Sequence, residues 1–198
     1  AVVHLWYSSI LIRFQGTPVV DGEMGMVNLE DCNTGFDNRF TQQFGFPKER
    51  AATKVKTFLE DSHKDFIRQS PFLVMATSSV SGQCDASPKG GSAGFVKVLD
   101  DSRLLIPDVA GNRLFQSYLN IDENPHAALL FFIPGIGETV RVNGRVSIMV
   151  KKDLDRVAAT LDVKNLDDNS KIIQGLLVEV EEVYGHCPRA LAFSGLWG

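Results

Sequence analysis

The sequence predicts a mainly β protein, an antiparallel barrel with peripheral helices. Two observations carry this. From Phe72 onward the chain holds about seven short stretches of strand-like patterning, and most are joined by links of hairpin length, which pair strands antiparallel. No strand–helix–strand repeat occurs, which argues against a doubly wound dinucleotide fold and leaves a barrel as the natural architecture.

The elements follow in order. The first segment, AVVHLWYSSILIRFQG, is apolar but carries His4, two serines and Arg13. It is too short for a membrane span, which takes about 20 apolar residues. It also shows neither the basic start nor the small-residue cleavage site of a signal peptide. It reads as a strand or as an extension outside the main fold. Residues 21–46 are rich in Gly, Asn, Asp and Gln and read as an irregular arm. The division is an N-terminal arm over residues 1–45 and a barrel domain over 46–198.

A helix is predicted between Pro47 and Pro71. Pro47 suits a first helical turn, Glu49 favours the positive end of the dipole, and Pro71 ends the run. Val55, Phe58, Leu59, Phe66 and Ile67 fall near one helical face. From Phe72 the pattern changes. FLVMATSS reads as a strand, Ser81-Gly82 as a tight turn and QCDAS as the returning strand; GFVKVL and RLLIP form a second hairpin about Asp100-Asp101. GNRLFQSYLNIDENP is a short helix ending before Pro125, and HAALLFFIP is an apolar strand. ETVRVNGRVSIMV is a long alternating strand with a bulge or bend at Asn143-Gly144. KKDLDRVAATL reads as helix, GLLVEVEEVYGHC as the last strand, and PRALAFSGLWG as a short helix or coil.

Bulk properties narrow the function. The 198 residues have a net charge of -4, with lysines and arginines scattered and no basic stripe, which disfavours a nucleic-acid partner. Cys32, Cys84 and Cys187 are odd in number and widely spaced. That pattern suits neither a disulfide framework nor zinc and fits a reducing compartment. The expectation is a cytoplasmic protein without a membrane partner.

The chemistry concentrates in ASPKGGSAGFVKVLD, Ala86 to Asp100, where Gly90, Gly91 and Gly94 lie among Lys89 and Lys97. It matches neither the Walker P-loop nor the dinucleotide fingerprint. A phosphate cradle and a plain turn both fit it. In IPDVAGNRLFQSYLNIDENP, Asn112 suits a helix N-cap, which puts Arg113 in the first turn and Asp122 and Glu123 at the other end. Both placements oppose the helix dipole, by about 0.3–1 kcal/mol each. An anion at the helix start, held by N–H groups, the Asn112 amide and the Arg113 fork, removes the conflict there. A solvated arginine is the plainer account. The intervening hairpin would carry Lys89 or Lys97 toward Arg113.

The order SPFLVMATSSVSGQCDASPKGG, GFVKVLDD, LLIPDVAGNR, NIDENPHAALLFFIPGIGETVRVNGRVSI resembles the pyridoxamine 5'-phosphate oxidase-like flavoproteins, and in particular a subgroup of FMN-dependent enzymes. The ending VEVEEVYGHCPRAL with LW resembles that subgroup as well. The resemblance covers residues 45–197 and leaves the N-terminal segment outside. It implies an antiparallel split β-barrel of the FMN-binding type, a homodimer with non-covalent FMN between the subunits, and a small-molecule substrate. By position it makes Arg113 the phosphate-binding cation and Asn112 its neighbour. Ile106 and Pro107 become the strand end beside the flavin, and Thr139 a polar group before the VRV strand. The segment from Ser87 through Lys89, Phe95, Val96 and Lys97 resembles the one that grips phosphate and ring edge in the family, with either Lys89 or Lys97 as its cation, and Trp197 resembles an aromatic that would cover the ring. Two features depart from the family. Asn112 stands where a second cation is common, and the C-terminal element that holds pyridoxine phosphate is missing. The resemblance therefore implies an FMN-dependent oxidoreductase, rather than a vitamin B6 oxidase.

Other residues stay in the background. His126 reads as a structural histidine and His186 as a proton-donor candidate. Cys84, Phe131 and Phe132 read as packing. A carrier for haem or a deazaflavin on the same barrel is the alternative, with His126 and His186 as axial candidates. A barrel acting as an interaction module without cofactor is the third.

Overall fold

The computed structural model describes residues 36–109, 111–156 and 171–197. The chain falls into two units, one ending at Phe46 and one beginning at Pro47. Among the described residues of the first, α1 (Arg39–Phe44) is a helix where an irregular arm is expected. Asn38 explains it. Its Oδ1 accepts from the N–H groups of Phe40 (2.9 Å) and Thr41 (3.2 Å), and Thr41 Oγ1 accepts from Asn38 N–H at 3.0 Å. That reciprocal cap nucleates a helix despite the polar sequence. The expectations for residues 1–35 lie outside the described residues.

The second unit is built on one seven-stranded antiparallel sheet: β1 (Phe72–Ser78), β2 (Cys84–Gly90), β3 (Lys97–Val98), β4 (Arg103–Val109), β5 (His126–Phe132), β6 (Thr139–Val150) and β7 (Ile172–His186). Their order is β2-β1-β5-β6-β7-β4-β3. Alternation decides which side faces in. Leu73 and Met75 on β1, Leu129 and Phe131 on β5, Val140 and Val142 on β6, and Leu104 and Ile106 on β4 are all buried in one core. β2 is an edge strand whose side chains are exposed or half-buried, so Cys84 is exposed rather than packed.

The bulge falls between Asn143 and Gly144, where the register shifts. The extra residue is on the partner strand: Asn143 faces Glu182 while Gly144 faces Val180, so Glu181 is left over. This moves the inward phase of β7 from Leu176, Val178 and Val180 to Val183.

The helix predicted between Pro47 and Pro71 is two helices, α2 (Arg50–Thr53) and α3 (Asp61–Gln69). Between them the backbone bonds elsewhere. Lys56 exchanges N–H···O bonds with Val183 at 2.9 and 2.8 Å, and Leu59 N–H donates to Asp101 O at 2.6 Å. β4 pairs with β7 only as far as Glu179, so the outer side of Val183 is open to this segment. β-Branched Thr53, Val55 and Thr57 hold little helix propensity against it. Leu59 and Ile67 are buried, whereas Val55 and Phe58 are exposed.

The remaining helices among the described residues are α4 (Gln116–Glu123), α5 (Lys151–Arg156) and α6 (Arg189–Ser194). The rest of the helix expected after Arg156 lies outside the described residues. No described helix is long and apolar enough to cross a membrane.

β2 lies at one end of the sheet and β4 next to the other, and the two share no ladder. Side chains bridge them instead: Lys89 Nζ of β2 lies 2.8 Å from Asp108 Oδ2 of β4. The barrel is split between these two strands.

Candidate functional site

A pocket of about 500 Å³ occupies the split. This is the size of a small-molecule site. β2 supplies one wall because period-2 alternation turns Asp85, Ser87 and Lys89 to the same side. β4 supplies another through Pro107 and Asp108 at its end, and Phe95 and Tyr118 also line the pocket.

The turn after β4 forms the rim. Gly111, Arg113 and Phe115 have φ of 43°, 59° and 54°, while Asn112 and Leu114 between them do not have positive φ. Alternation of this kind shapes successive N–H groups into a concave nest suited to an anion. For Arg113 and Phe115 the left-handed conformation costs about 1–2 kcal/mol each, and backbone strain of this kind collects at ligand sites. Asn112 is not the N-cap of the helix. Its Oδ1 accepts from Leu114 N–H at 3.1 Å, an Asx turn. The alternating φ angles keep the chain out of the helix until Gln116, so Arg113 precedes α4 instead of opening it.

Charge in the pocket is unevenly satisfied. Asp108 Oδ2 accepts from Lys89 Nζ (2.8 Å) and from the Tyr118 hydroxyl (2.7 Å). Burial, and then the hydrogen bond to Asp108, push the Tyr118 phenol far above its ordinary range, so it stays a protonated donor. Asp85 Oδ2 accepts from Asn120 Nδ2 at 2.7 Å, and the same amide donates to buried Thr77 Oγ1 at 3.1 Å. Arg113 is exposed and forms no ion pair or hydrogen bond among the described residues.

The pocket brings together Ser87, Lys89, Phe95, Pro107, Asn112 and Arg113. The other expected site residues lie elsewhere. Val96 and Ile106 are buried in the core. Lys97 Nζ donates to Gly94 O at 3.0 Å and does not line the pocket. Thr139 is buried at the start of β6, opposite His186. Trp197 borders a separate hollow of about 200 Å³ with Gly137, Pro188 and Leu191.

Neither histidine candidate reaches the pocket. His126 is exposed beside Asn124 and Glu181. His186 packs 4.8 Å from the Tyr184 ring, with its Nε2 buried and without a hydrogen-bond partner among the described residues. Asp108 and Tyr118 escape the sequence argument. An aspartate after a strand proline and a tyrosine in a short helix meet only once the strand order is known.

The model of the pyridoxamine 5'-phosphate oxidase family matches residues 59–187. The chain belongs to this family. The part that matches the pyridoxamine 5'-phosphate oxidase family runs from α3 to the end of β7; it holds every pocket residue and leaves out Trp197. Similar solved structures include HupZ of Group A Streptococcus, at 17% identity and a TM-score of 0.48, covering 64% of this chain and 93% of that one. A pyridoxamine 5'-phosphate oxidase-related, FMN binding protein of Nostoc punctiforme PCC 73102 has 14% identity and a TM-score of 0.40, covering 58% and 73%. An F420 reductase has 17% identity and a TM-score of 0.40, covering 65% and 98%. No curated protein matches the chain.

Proposed function

We propose that the protein binds FMN in the split of the barrel and is an FMN-dependent oxidoreductase acting on a small molecule. One observation carries the reading: Arg113, on a nest-shaped turn at the pocket rim, is a cation without an internal partner among the described residues. A guanidinium in that position fits a phosphate through two parallel hydrogen bonds. The pocket volume also suits a ligand of this class.

The chain's own groups divide the work. Arg113 takes the phosphate, with the Ser87 hydroxyl and the Asn112 amide as further donors on the same pocket. Lys97 is turned to Gly94 O and does not contribute. Phe95 and Pro107 give apolar wall against which a planar ring packs. When bound, the flavin would supply the two-electron chemistry, while the chain binds and orients it. Thr139, which is buried, and Trp197, which borders the separate hollow, take no part in this pocket.

A deazaflavin carrier uses the same phosphate contact. Haem has less support, since no histidine, cysteine or methionine among the described residues lines the pocket. The test is the absorption spectrum of the purified protein before and after incubation with FMN and removal of the excess. Retained flavin bands with quenched fluorescence, lost in Arg113→Ala, support the reading. A protein band unchanged by FMN overturns it.

A further inference from the structure

Asp108 stands where a bound anion would collect its hydrogen bonds. Its Oδ2 accepts from Lys89 Nζ at 2.8 Å and from the Tyr118 hydroxyl at 2.7 Å, and its Oδ1 accepts from Val109 N–H at 3.1 Å. The Lys89 and Asp108 side chains are only 14% and 12% exposed, so water screens the pair weakly. Lys89, Asp108, Val109 and Tyr118 all line the same pocket as Arg113. Three donors therefore converge on a carboxylate that the chain itself supplies, at the place where a ligand phosphate would seek those donors.

We propose that Asp108 is a specificity-determining residue: its carboxylate serves as an internal anion that occupies Lys89 and Tyr118, and so weakens the pocket's hold on a ligand phosphate. The inference rests on the FMN reading and adds what limits affinity in that site. With Asp108 ionised, Lys89 carries no net positive charge into the pocket, and Arg113 meets the phosphate alone. A phosphate monoester carries about -1.5 to -2 charge at neutral pH, more than one guanidinium balances. Removing the Asp108 charge while keeping its shape returns Lys89 to the ligand. Removing both charges returns the pocket to its original balance.

The experiment is a fluorescence titration of the full chain with FMN and, separately, with riboflavin, which lacks the phosphate. The proteins are the unmodified chain, Asp108→Asn and the double variant Asp108→Asn/Lys89→Met. Asp108→Asn should tighten FMN about tenfold, the value of one charge-assisted hydrogen bond. Riboflavin should change by less than about twofold, within the additivity of independent sites. The double variant should bind FMN within about twofold of the unmodified chain. It replaces a largely buried pair by neutral groups, so a clear loss of FMN binding there overturns the inference even where Asp108→Asn alone does not fold. FMN binding that weakens about tenfold in the double variant makes Lys89 a phosphate ligand and overturns the inference, as does an unchanged affinity in folded Asp108→Asn. An unmodified chain that binds neither FMN nor riboflavin overturns the FMN reading, and the inference with it.

Discussion

Asn120 joins the helix beneath the pocket to two strands at once, donating from Nδ2 to Asp85 Oδ2 of β2 at 2.7 Å and to Thr77 Oγ1 of β1 at 3.1 Å. Asn120 and Thr77 are buried, so neither has water as a substitute partner. Asn120→Ala should cost about 1–3 kcal/mol, the range for leaving buried polar groups unsatisfied. Urea unfolding measures it. A loss near zero would mean that α4 repacks without this link.

Gly144 is the close-approach point of the bulge. A Cβ there would overlap the Glu179 carbonyl oxygen and crowd Val178 Cγ1 at 3.3 Å. The obstacle is backbone of the paired strand, which yields only by breaking the β6–β7 register. Gly144→Ala should therefore destabilise by about 1–3 kcal/mol, read from the urea midpoint. Gly185→Ala, whose nearest neighbour would be 3.9 Å away, serves as the control and should cost less.

The strands that one face of the core defines were legible in the sequence. β1, β5 and β6 show their alternation directly, and Asn143-Gly144 marks the bulge. That Glu181 is the surplus residue was not legible, because it depends on which strand pairs with β6. The segment from Pro47 to Pro71 misleads for a related reason. Its apolar spacing suits a helix, but the exposed edge of Val183 takes the Lys56 backbone instead. The pocket follows the same rule. Arg113 and Lys89 are visible as candidate phosphate cations, whereas the Lys89–Asp108 pair forms only because β2 and β4 meet across the split.

Lys97 and Arg113 should separate cleanly in binding experiments. Both are cations near glycines, but Lys97 Nζ already donates to Gly94 O, while Arg113 stands on the pocket rim. Arg113→Ala should weaken FMN about tenfold or more, as expected for loss of a charge-assisted contact. Lys97→Met should leave FMN affinity within about twofold. Titration of flavin fluorescence gives both values, and the reverse ranking would move the phosphate from the rim to the β2–β3 connection.

Stability should fall as the solution becomes mildly acidic, and two histidines set the direction. Burial, with Lys56 adding to it, pulls His63 below its ordinary value of 6.5 against the opposing effect of Glu60. Burial, followed by Arg141 and Lys54, lowers His186 from the same value. His63 Nδ1 also accepts from Glu60 N–H at 3.2 Å, a bond that requires that nitrogen unprotonated and that caps α3. Because the unfolded chain takes up protons at higher pH than the folded one, stability is whole above 6.5 and declines as pH falls below it toward the lowered folded values. Urea midpoints measured at about pH 7.5 and about pH 5.5 should show the lower value in acid. Replacing both histidines by glutamine should reduce that difference. An unchanged difference in the double variant would assign the acid sensitivity to other groups.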